Sequence, residues 1–240
     1  MNLTFIQSAI LGILFCTAIP ARATVLTEAQ KPSAEAFSTM RYGIFTHIVY
    51  RLSIGPDGGK NYQSPDAFAD MVDVAAYADQ LKSMGVEYVI FTAWHLAMYN
   101  LGPNAAMDKW LPGHTTKRDL IGEIADALHQ HGIKMIIYAH PNDGHDLTTE
   151  EQAKVGFVKP AEGVNALMPV FNDFLNEVYA ELAARYAKKT NLLGFWWDSW
   201  SANGGAIDMP RLRRTLLQAM PRAIVLSNFF NPEFIDFNSM

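Results

Sequence analysis

Aromatic residues crowd a single carboxylate in residues 194–200, which read Gly-Phe-Trp-Trp-Asp-Ser-Trp. The apolar run 192–197 predicts a short strand, and the polarity changes abruptly at Asp198. Small polar residues follow at 201–205, so Asp198 is predicted at the C-terminal rim of a sheet, where α/β folds bind ligands. Indole faces beside a carboxylate suit a sugar, whose C–H faces stack on aromatic rings while its hydroxyls need polar partners. Equally, Asp198 could cap the next helix and the tryptophans could fill the core.

Three more side chains are predicted near the same rim. His47 ends the predicted first strand, His95 follows the second, and Tyr138 lies near the end of the third. A neutral imidazole can donate or accept hydrogen bonds with sugar hydroxyls. Taken singly, each histidine could be an ordinary strand-end residue and Tyr138 a core residue. Their coincidence at one rim favours a carbohydrate site.

The elements that must position these side chains alternate along the chain. Strands are predicted at 41–47, 86–92, 133–139, 192–197 and 223–227, with a possible sixth at 234–237. Helices are predicted from Asp73, from Asp119, across 171–186 and around Pro210, whereas 24–38, 53–65, 95–116 and 141–163 are predicted as irregular. Helices alternating with strands, and long loops after the strands, predict an α/β fold of the (β/α)8 TIM-barrel type with its working face at the strand C-termini.

The number of strands predicts that this barrel is incomplete. Five or six predicted β/α units fall short of the roughly eight strands that close such a barrel. An open edge at 234–237 would leave backbone groups unpaired and invite aggregation. We therefore expect either an atypical barrel or the N-terminal portion of a protein that continues past Met240. On the second view, residues 24–240 alone would be poorly soluble and nearly inactive.

The amino-acid composition and net charge limit the number of domains and the kinds of partner to expect. The chain has 240 residues, 50% of them hydrophobic, which suits one sizeable domain over residues 24–240. The net charge is -5, and basic residues do not cluster beyond pairs such as Lys117-Arg118 and Arg213-Arg214. Nucleic acid is therefore excluded as an expected partner. The composition does not indicate an oligomeric state.

Residues 1–23 have the pattern of a secretory signal peptide. A short apolar run spans 10–19, Pro20 breaks it, and residues 21–23 read Ala-Arg-Ala, a small-x-small cleavage pattern. The segment lacks a Lys or Arg before the apolar run, so an uncleaved N-terminal anchor is the alternative. We predict cleavage after Ala23 and a secreted or periplasmic protein with no membrane association afterwards. Cys16 is the single cysteine, so the mature chain would have no disulfide framework.

Four motifs, in order along the chain, resemble those of the α-L-fucosidases of glycoside hydrolase family 29. Residues 41–47 resemble the first-strand motif, in which a His contacts the sugar, and residues 88–95 resemble the second, which ends in Lys-His-His-Asp-Gly-Phe. Residues 118–123 and 132–138 resemble the third unit, whose strand-end Tyr lines the pocket. Residues 194–198 resemble the strand that carries a Trp and, two residues later, the nucleophilic Asp.

This resemblance implies an activity and a set of roles. It implies a retaining glycosidase that removes terminal α-L-fucose or a similar sugar from glycans, with Asp198 as nucleophile. His47, His95, Tyr138 and Trp196 would bind the substrate. Neither a cofactor nor a metal ion is implied, and carbohydrate would be the partner.

Several positions depart from the family pattern. Leu96 replaces the second His of the paired motif, and Phe229 stands where a site Arg is expected. Residues 236–240 resemble the segment that leads to the acid/base Glu, and the sequence stops one residue before that position. The alternative function is therefore a non-catalytic carbohydrate-binding relative.

A second group of polar residues has side chains that could bind a metal ion. His140, Asp143, His145 and Asp146 combine imidazole and carboxylate groups, which suit zinc or another divalent ion. They lie in one predicted loop without the i, i+4 spacing of a helical ligand pair. An ordinary polar loop therefore remains the simpler interpretation.

Overall fold

The computed structural model describes residues 25–50, 64–158, 167–198, 206–228 and 234–238. The predicted signal peptide at 1–23, the polar run at 201–205 and Phe229 lie outside these ranges. Within them, no helix is both long enough and apolar enough to cross a membrane.

Helices and strands alternate over most of the chain. The helices are α1 (Lys31–Thr39), α2 (Pro65–Asp70), α3 (Val74–Ser83), α4 (Ala105–Trp110), α5 (Leu120–Gln130), α6 (Thr149–Val155), α7 (Pro169–Tyr186) and α8 (Met209–Ala219). The strands are β1 (Gly43–Thr46), β2 (Tyr88–Trp94), β3 (Lys134–Ala139), β4 (Leu192–Trp197), β5 (Ile224–Ser227) and β6 (Phe237–Asn238). A short 3-10 helix spans Asp143–Asp146.

The strands form one parallel sheet in chain order, β1-β2-β3-β4-β5-β6. One face of this sheet packs against the helices through a large apolar cluster that contains Phe91, Phe195 and the inner side of α7. The other face carries a second cluster, which includes Ile136, Tyr138 and Trp196. This confirms the predicted α/β architecture of the TIM-barrel type, with six of its strands described.

Local chemistry explains the elements that the sequence predicted well. Asp73 and Asp119 cap α3 and α5 by accepting a backbone N–H three residues later, as N-cap carboxylates do. Gly194 lets β4 approach β5, since a Cβ atom there would lie 1.9 Å from the carbonyl oxygen of Ile224. Strand bounds differ from the predicted ones by a few residues; β6, for example, begins at Phe237 rather than at Phe234.

Four helices fall where irregular chain, or no element, was predicted. The predicted lead-in 24–38 contains most of α1, the predicted loops contain α4 and α6, and α2 begins at the end of a predicted loop. Three of them, α2, α4 and α6, have only six or seven residues, too few for a helical apolar period to show. Local caps hold them: Thr148 and Glu151 form a reciprocal capping box for α6.

A buried ion pair joins α8 to the segment that leads into β6. Arg213 of α8 donates from both terminal nitrogens to Asp236, at 2.8 and 3.0 Å. Asp236 also accepts from Gln30 at 3.0 Å and from the backbone N–H of Val225 at 2.8 Å. The segment before α1 is thereby tied to the segment that leads into β6.

Candidate active site

Parallel pairing brings side chains from four strands into one layer on the inner face of the sheet. Thr92 of β2 is in register with Tyr138 of β3, and Tyr138 is in register with Trp196 of β4. His47, directly after β1, joins this layer because its Nδ1 lies 3.1 Å from the Thr92 hydroxyl. The predicted rim residues of the first, third and fourth strands therefore lie together.

Asp198 lies immediately beyond β4 and is held by two donors. The Tyr138 hydroxyl donates to its Oδ2 at 2.9 Å, and the Asn228 side-chain amide donates to its Oδ1 at 2.5 Å. Burial, together with the neighbouring Asp198 carboxylate, raises the pKa of Tyr138 far above its usual range. The phenol therefore stays protonated at neutral pH and well above it, and it donates to the carboxylate.

His47 and His95 stack beside this carboxylate. Their ring centroids are 5.4 Å apart with planes at 30°, and the edge of Tyr138 meets the His47 ring at 4.8 Å. Partial burial and the neighbouring His95 lower the pKa of His47, although Asp198 opposes this shift. Because the Thr92 hydroxyl donates to the Thr46 carbonyl at 3.1 Å, His47 Nδ1 must be the donor to Thr92. Nε2 of His47 then carries a lone pair that can accept from a sugar hydroxyl.

The ring of His95 contacts a different partner, the buried carboxylate of Asp143. Its Nδ1 lies 3.2 Å from Asp143 Oδ2, while Nδ1 of His140 lies 2.9 Å from Oδ1 of the same residue. Burial alone would lower the pKa of His95, but Asp143 outweighs it and the pKa is raised. Burial would raise the pKa of Asp143, yet its two imidazole partners lower it. The pKa values of the two stacked histidines are therefore shifted in opposite directions.

The alternative metal cluster comes together only in part as predicted. Donor atoms of His140 and Asp143 lie within 4.8 Å of each other and of His95, and those of Asp143, His145 and Asp146 do the same. A divalent ion could use such donors. Each oxygen of Asp143, however, already faces an imidazole nitrogen at hydrogen-bonding distance. The residues therefore fit an ionic hydrogen-bonded cluster better than a metal centre.

The two adjacent tryptophans of β4 have different surroundings. Trp197 faces the helices and meets the edge of Tyr179 of α7, so for this residue the core interpretation is correct. Trp196 faces inward, stacked on Tyr138 with centroids 5.3 Å apart, and is 7% exposed. Phe45, which packs 5.3 Å from Trp196, is 41% exposed and offers more ring surface on this face. Trp196 thus supports the pocket wall, and its role in binding sugar stays a prediction.

A strained turn follows His95. Leu96, Ala97 and Met98 all have left-handed backbone conformations, with φ of 55°, 53° and 56°. Such conformations cost non-glycine residues about 1–2 kcal/mol each. The turn is held by His114, whose Nδ1 bonds the Ala97 carbonyl at 2.9 Å. Leu96 is a position at which the chain departs from the family motif, and the turn fixes the backbone direction just after His95.

Sequence reasoning overlooked several residues that complete the site. Asn228, Thr92 and Phe45 contact the predicted residues directly, and Asp143 was considered only as a metal ligand. Asn228 carried a usable signal, because it follows β5 as Asp198 follows β4. No local pattern in the sequence indicated the contact between Asp143 and His95, because 48 positions separate the two residues.

Comparisons with known proteins agree with this architecture. The sequence matches the model of the alpha-L-fucosidase family over residues 59–231, which is well over half of the chain. No curated protein matches the sequence significantly.

Solved structures of similar fold include three bacterial fucosidases. Alpha-L-fucosidase isoenzyme 1 from Paenibacillus thiaminolyticus is 20% identical with a TM-score of 0.56, over 82% of this chain and 50% of that one. A fucosidase from Bacteroides thetaiotaomicron, trapped as a covalent intermediate, is 21% identical with a TM-score of 0.56, over 92% and 54%. AlfC from Lactobacillus casei, in complex with its α-L-fucose product, is 14% identical with a TM-score of 0.55, over 84% and 72%.

The likeness to these structures concerns the fold, because the identities are low. The chain spans about half the length of the first two of them. The family match is independent of this likeness and includes three of the four resembling motifs. The chain belongs to the alpha-L-fucosidase family.

Proposed function

We propose that the protein is a retaining glycosidase of the α-L-fucosidase type, with Asp198 as its nucleophile. The observation that carries this proposal is the Asp198 carboxylate at the end of β4, held by Tyr138 and Asn228 beside two stacked histidines. A carboxylate that is oriented by hydrogen-bond donors at the strand C-termini supports this role. The trapped covalent intermediate of the Bacteroides thetaiotaomicron fucosidase supports the same mechanism here.

In this mechanism a carboxylate oxygen of Asp198 attacks the anomeric carbon of the sugar. The bond between that carbon and the glycosidic oxygen breaks, and a protonated aglycone leaves as an alcohol. Water then attacks the glycosyl ester, which restores the carboxylate and releases the sugar. A second carboxyl group, about 5 Å from the first, supplies and then removes the proton. Asp143 is fully buried, bonds to His95 and lies 2.9 Å from Nδ1 of His140, so we assign the acid/base role to no described residue.

The substrate we propose is a terminal α-L-fucose or a similar sugar on a glycan. His47 would accept a hydrogen bond from one sugar hydroxyl through Nε2, and His95 would bond to another through its own Nε2. The exposed ring of Phe45, backed by Trp196, offers an apolar surface for the C–H face or methyl group of the sugar. The α-L-fucose product bound to the Lactobacillus casei relative supports this substrate class. We further propose that residues 1–23 export the protein, so that it meets glycans outside the cytoplasm.

The test is hydrolysis of an aryl α-L-fucoside by the wild type and by Asp198→Ala. We expect the variant to lose at least a thousandfold in rate, and azide, which can replace the missing nucleophile, to restore part of it. Asp173→Ala is the matched control, because Asp173 lies on the surface of α7 in an exposed pair with Arg211. Equal rates for the wild type and Asp198→Ala would exclude Asp198 as the nucleophile.

A second candidate is a carbohydrate-binding relative without activity. It is favoured by Leu96, which stands where the family motif has a second His and has a left-handed backbone. Calorimetry with fucose and related sugars separates the two functions. Binding without turnover would support this candidate, and turnover by the purified wild type would exclude it.

A further inference from the structure

Three imidazoles lie in a column beside Asp198. His95 stacks between His47, at 5.4 Å, and His140, at 5.0 Å, with interplanar angles of 30° and 27°. The stacking sets the plane of the His95 ring but allows a flip of 180° about its Cβ–Cγ bond, which exchanges Nδ1 with Cδ2 and Nε2 with Cε1. The contact of Nδ1 with Asp143 Oδ2 at 3.2 Å selects one of these two orientations.

We propose that Asp143 is a positioning residue of the sugar site, which holds His95 by Nδ1 and thereby fixes the direction in which Nε2 meets the substrate. This rests on the proposed function, because it names the residue that prepares one of its sugar-binding groups. No sequence motif pointed to such a role, since Asp143 follows β3 whereas His95 follows β2.

The surroundings of Asp143 suit a fixed support. Its side chain is fully buried, and its second oxygen faces Nδ1 of His140 at 2.9 Å. His140 is itself anchored, because the Trp94 indole donates to its carbonyl at 3.1 Å. The 3-10 turn that carries Asp143 is tied to α6 by Gln152, whose amide donates to the Gly144 carbonyl at 3.0 Å. An ionised carboxylate only accepts hydrogen bonds, so the His95 nitrogen that bonds to Asp143 must carry a proton.

The two histidines are therefore held by the same ring atom but by different partners. Thr92 holds His47 by Nδ1, and Asp143 holds His95 by Nδ1. The other titratable groups that act on His95 or border its ring are Asp198, Asp146, His47, His140 and Tyr138. Asp143 makes the direct hydrogen bond to the ring. Each ring is thereby left with Nε2 to meet a hydroxyl of the sugar.

The first test follows the His95 ring itself and needs no substrate. In the full chain, the ring nitrogens of His95 and His47 are titrated by NMR in the wild type and in Asp143→Asn. We expect the His95 midpoint to fall in the variant, because the carboxylate that raises its pKa is gone, while that of His47 moves much less. Asp146→Asn is the matched control, because Asp146 is in the same turn and pairs with the exposed His145 at 3.3 Å. An unchanged His95 titration would overturn the proposal.

The second test uses an aryl α-L-fucoside. Asp143→Asn should raise KM at least tenfold with a smaller change in kcat, and it should add no further loss to His95→Gln, since Asp143 acts through His95. Additive losses would overturn the proposal. So would a divalent metal bound stoichiometrically to the wild type and lost from Asp143→Asn. If Asp143→Asn does not fold, Asp143→Glu replaces it in both tests. A wild type without turnover refutes the proposed function but leaves the NMR test valid.

Discussion

Asp236→Ala should be among the most destabilising single substitutions in this chain. Asp236 accepts four hydrogen bonds, two from Arg213, one from Gln30 and one from the Val225 backbone. Its side chain is fully buried, and that of Arg213 is 9% exposed. The substitution leaves the guanidinium charge buried without its partner, which costs about 3–5 kcal/mol. A loss of this size is a large fraction of the roughly 5–15 kcal/mol by which most domains are stable.

The measurement is urea unfolding of the wild type and the variant, followed by circular dichroism. A matched control is Asp173→Ala, which breaks an Asp–Arg pair of similar length, 2.7 Å, in which both side chains are about half exposed. Exposed pairs contribute at most about 1 kcal/mol, so the control should lose little. For a chain of this size the Asp236→Ala loss should lower Tm on the order of 10 °C.

A second substitution tests the cause of the loss. Arg213→Met removes the charge that Asp236→Ala leaves unpaired, so the double variant should be more stable than Asp236→Ala alone. The reasoning is refuted if Asp236→Ala costs no more than Asp173→Ala. It is also refuted if Arg213→Met destabilises the Asp236→Ala variant further.

Three further predictions follow from the described contacts. Tyr138→Phe keeps the stacked ring but removes the hydrogen-bond donor to Asp198. Because a hydrogen bond to a charged group contributes about 1.5–3 kcal/mol, kcat/KM for an aryl α-L-fucoside should fall roughly 10- to 100-fold. A change below twofold would contradict this prediction. Burial raises the pKa of Tyr77 to about 12, although its hydrogen bond to Thr46 acts in the opposite direction. In the unfolded chain this phenol ionises near pH 10. The free energy of unfolding should therefore fall as the pH rises from about 10 to 12. Tyr77→Phe should lose less in urea unfolding across that window, and identical pH dependence would show the assignment to be wrong. Mass spectrometry of exported protein should find Thr24 at the N-terminus, whereas an intact residue 1 would favour the uncleaved anchor.

Much of the fold could be predicted because its signals are local. Apolar runs of five to seven residues mark the buried strands, and a parallel sheet needs such runs because both of its faces are covered. Asp73 and Asp119 predict the starts of α3 and α5, because an N-cap side chain accepts a hydrogen bond from a backbone N–H only three residues later. The position of Asp198 at the rim follows from the same kind of signal, a change of polarity at the end of a strand.

The short helices gave no such signal. α4 and α6 contain one buried large apolar residue each, Met107 and Val155, so neither presents a repeating stripe. Their positions depend on partners far along the chain. Asn104, for example, caps α4 and also donates to the Val178 carbonyl of α7, 74 residues away.

The amino-acid sequence alone was enough to determine the order of strands, the family pattern and the rim at which Asp198, His47, His95 and Tyr138 lie. Which groups touch there was decided by tertiary structure. Trp196 and Trp197 are equally apolar, and the pleat of β4 turns one toward the pocket and the other toward α7. The hydrogen bond from Asn228 to Asp198 joins residues 30 positions apart. The contact of Asp143 with His95 joins residues 48 positions apart. Such contacts depend on strand register and on the path of the loops, which are properties of the packed sheet and leave no local pattern in the chain.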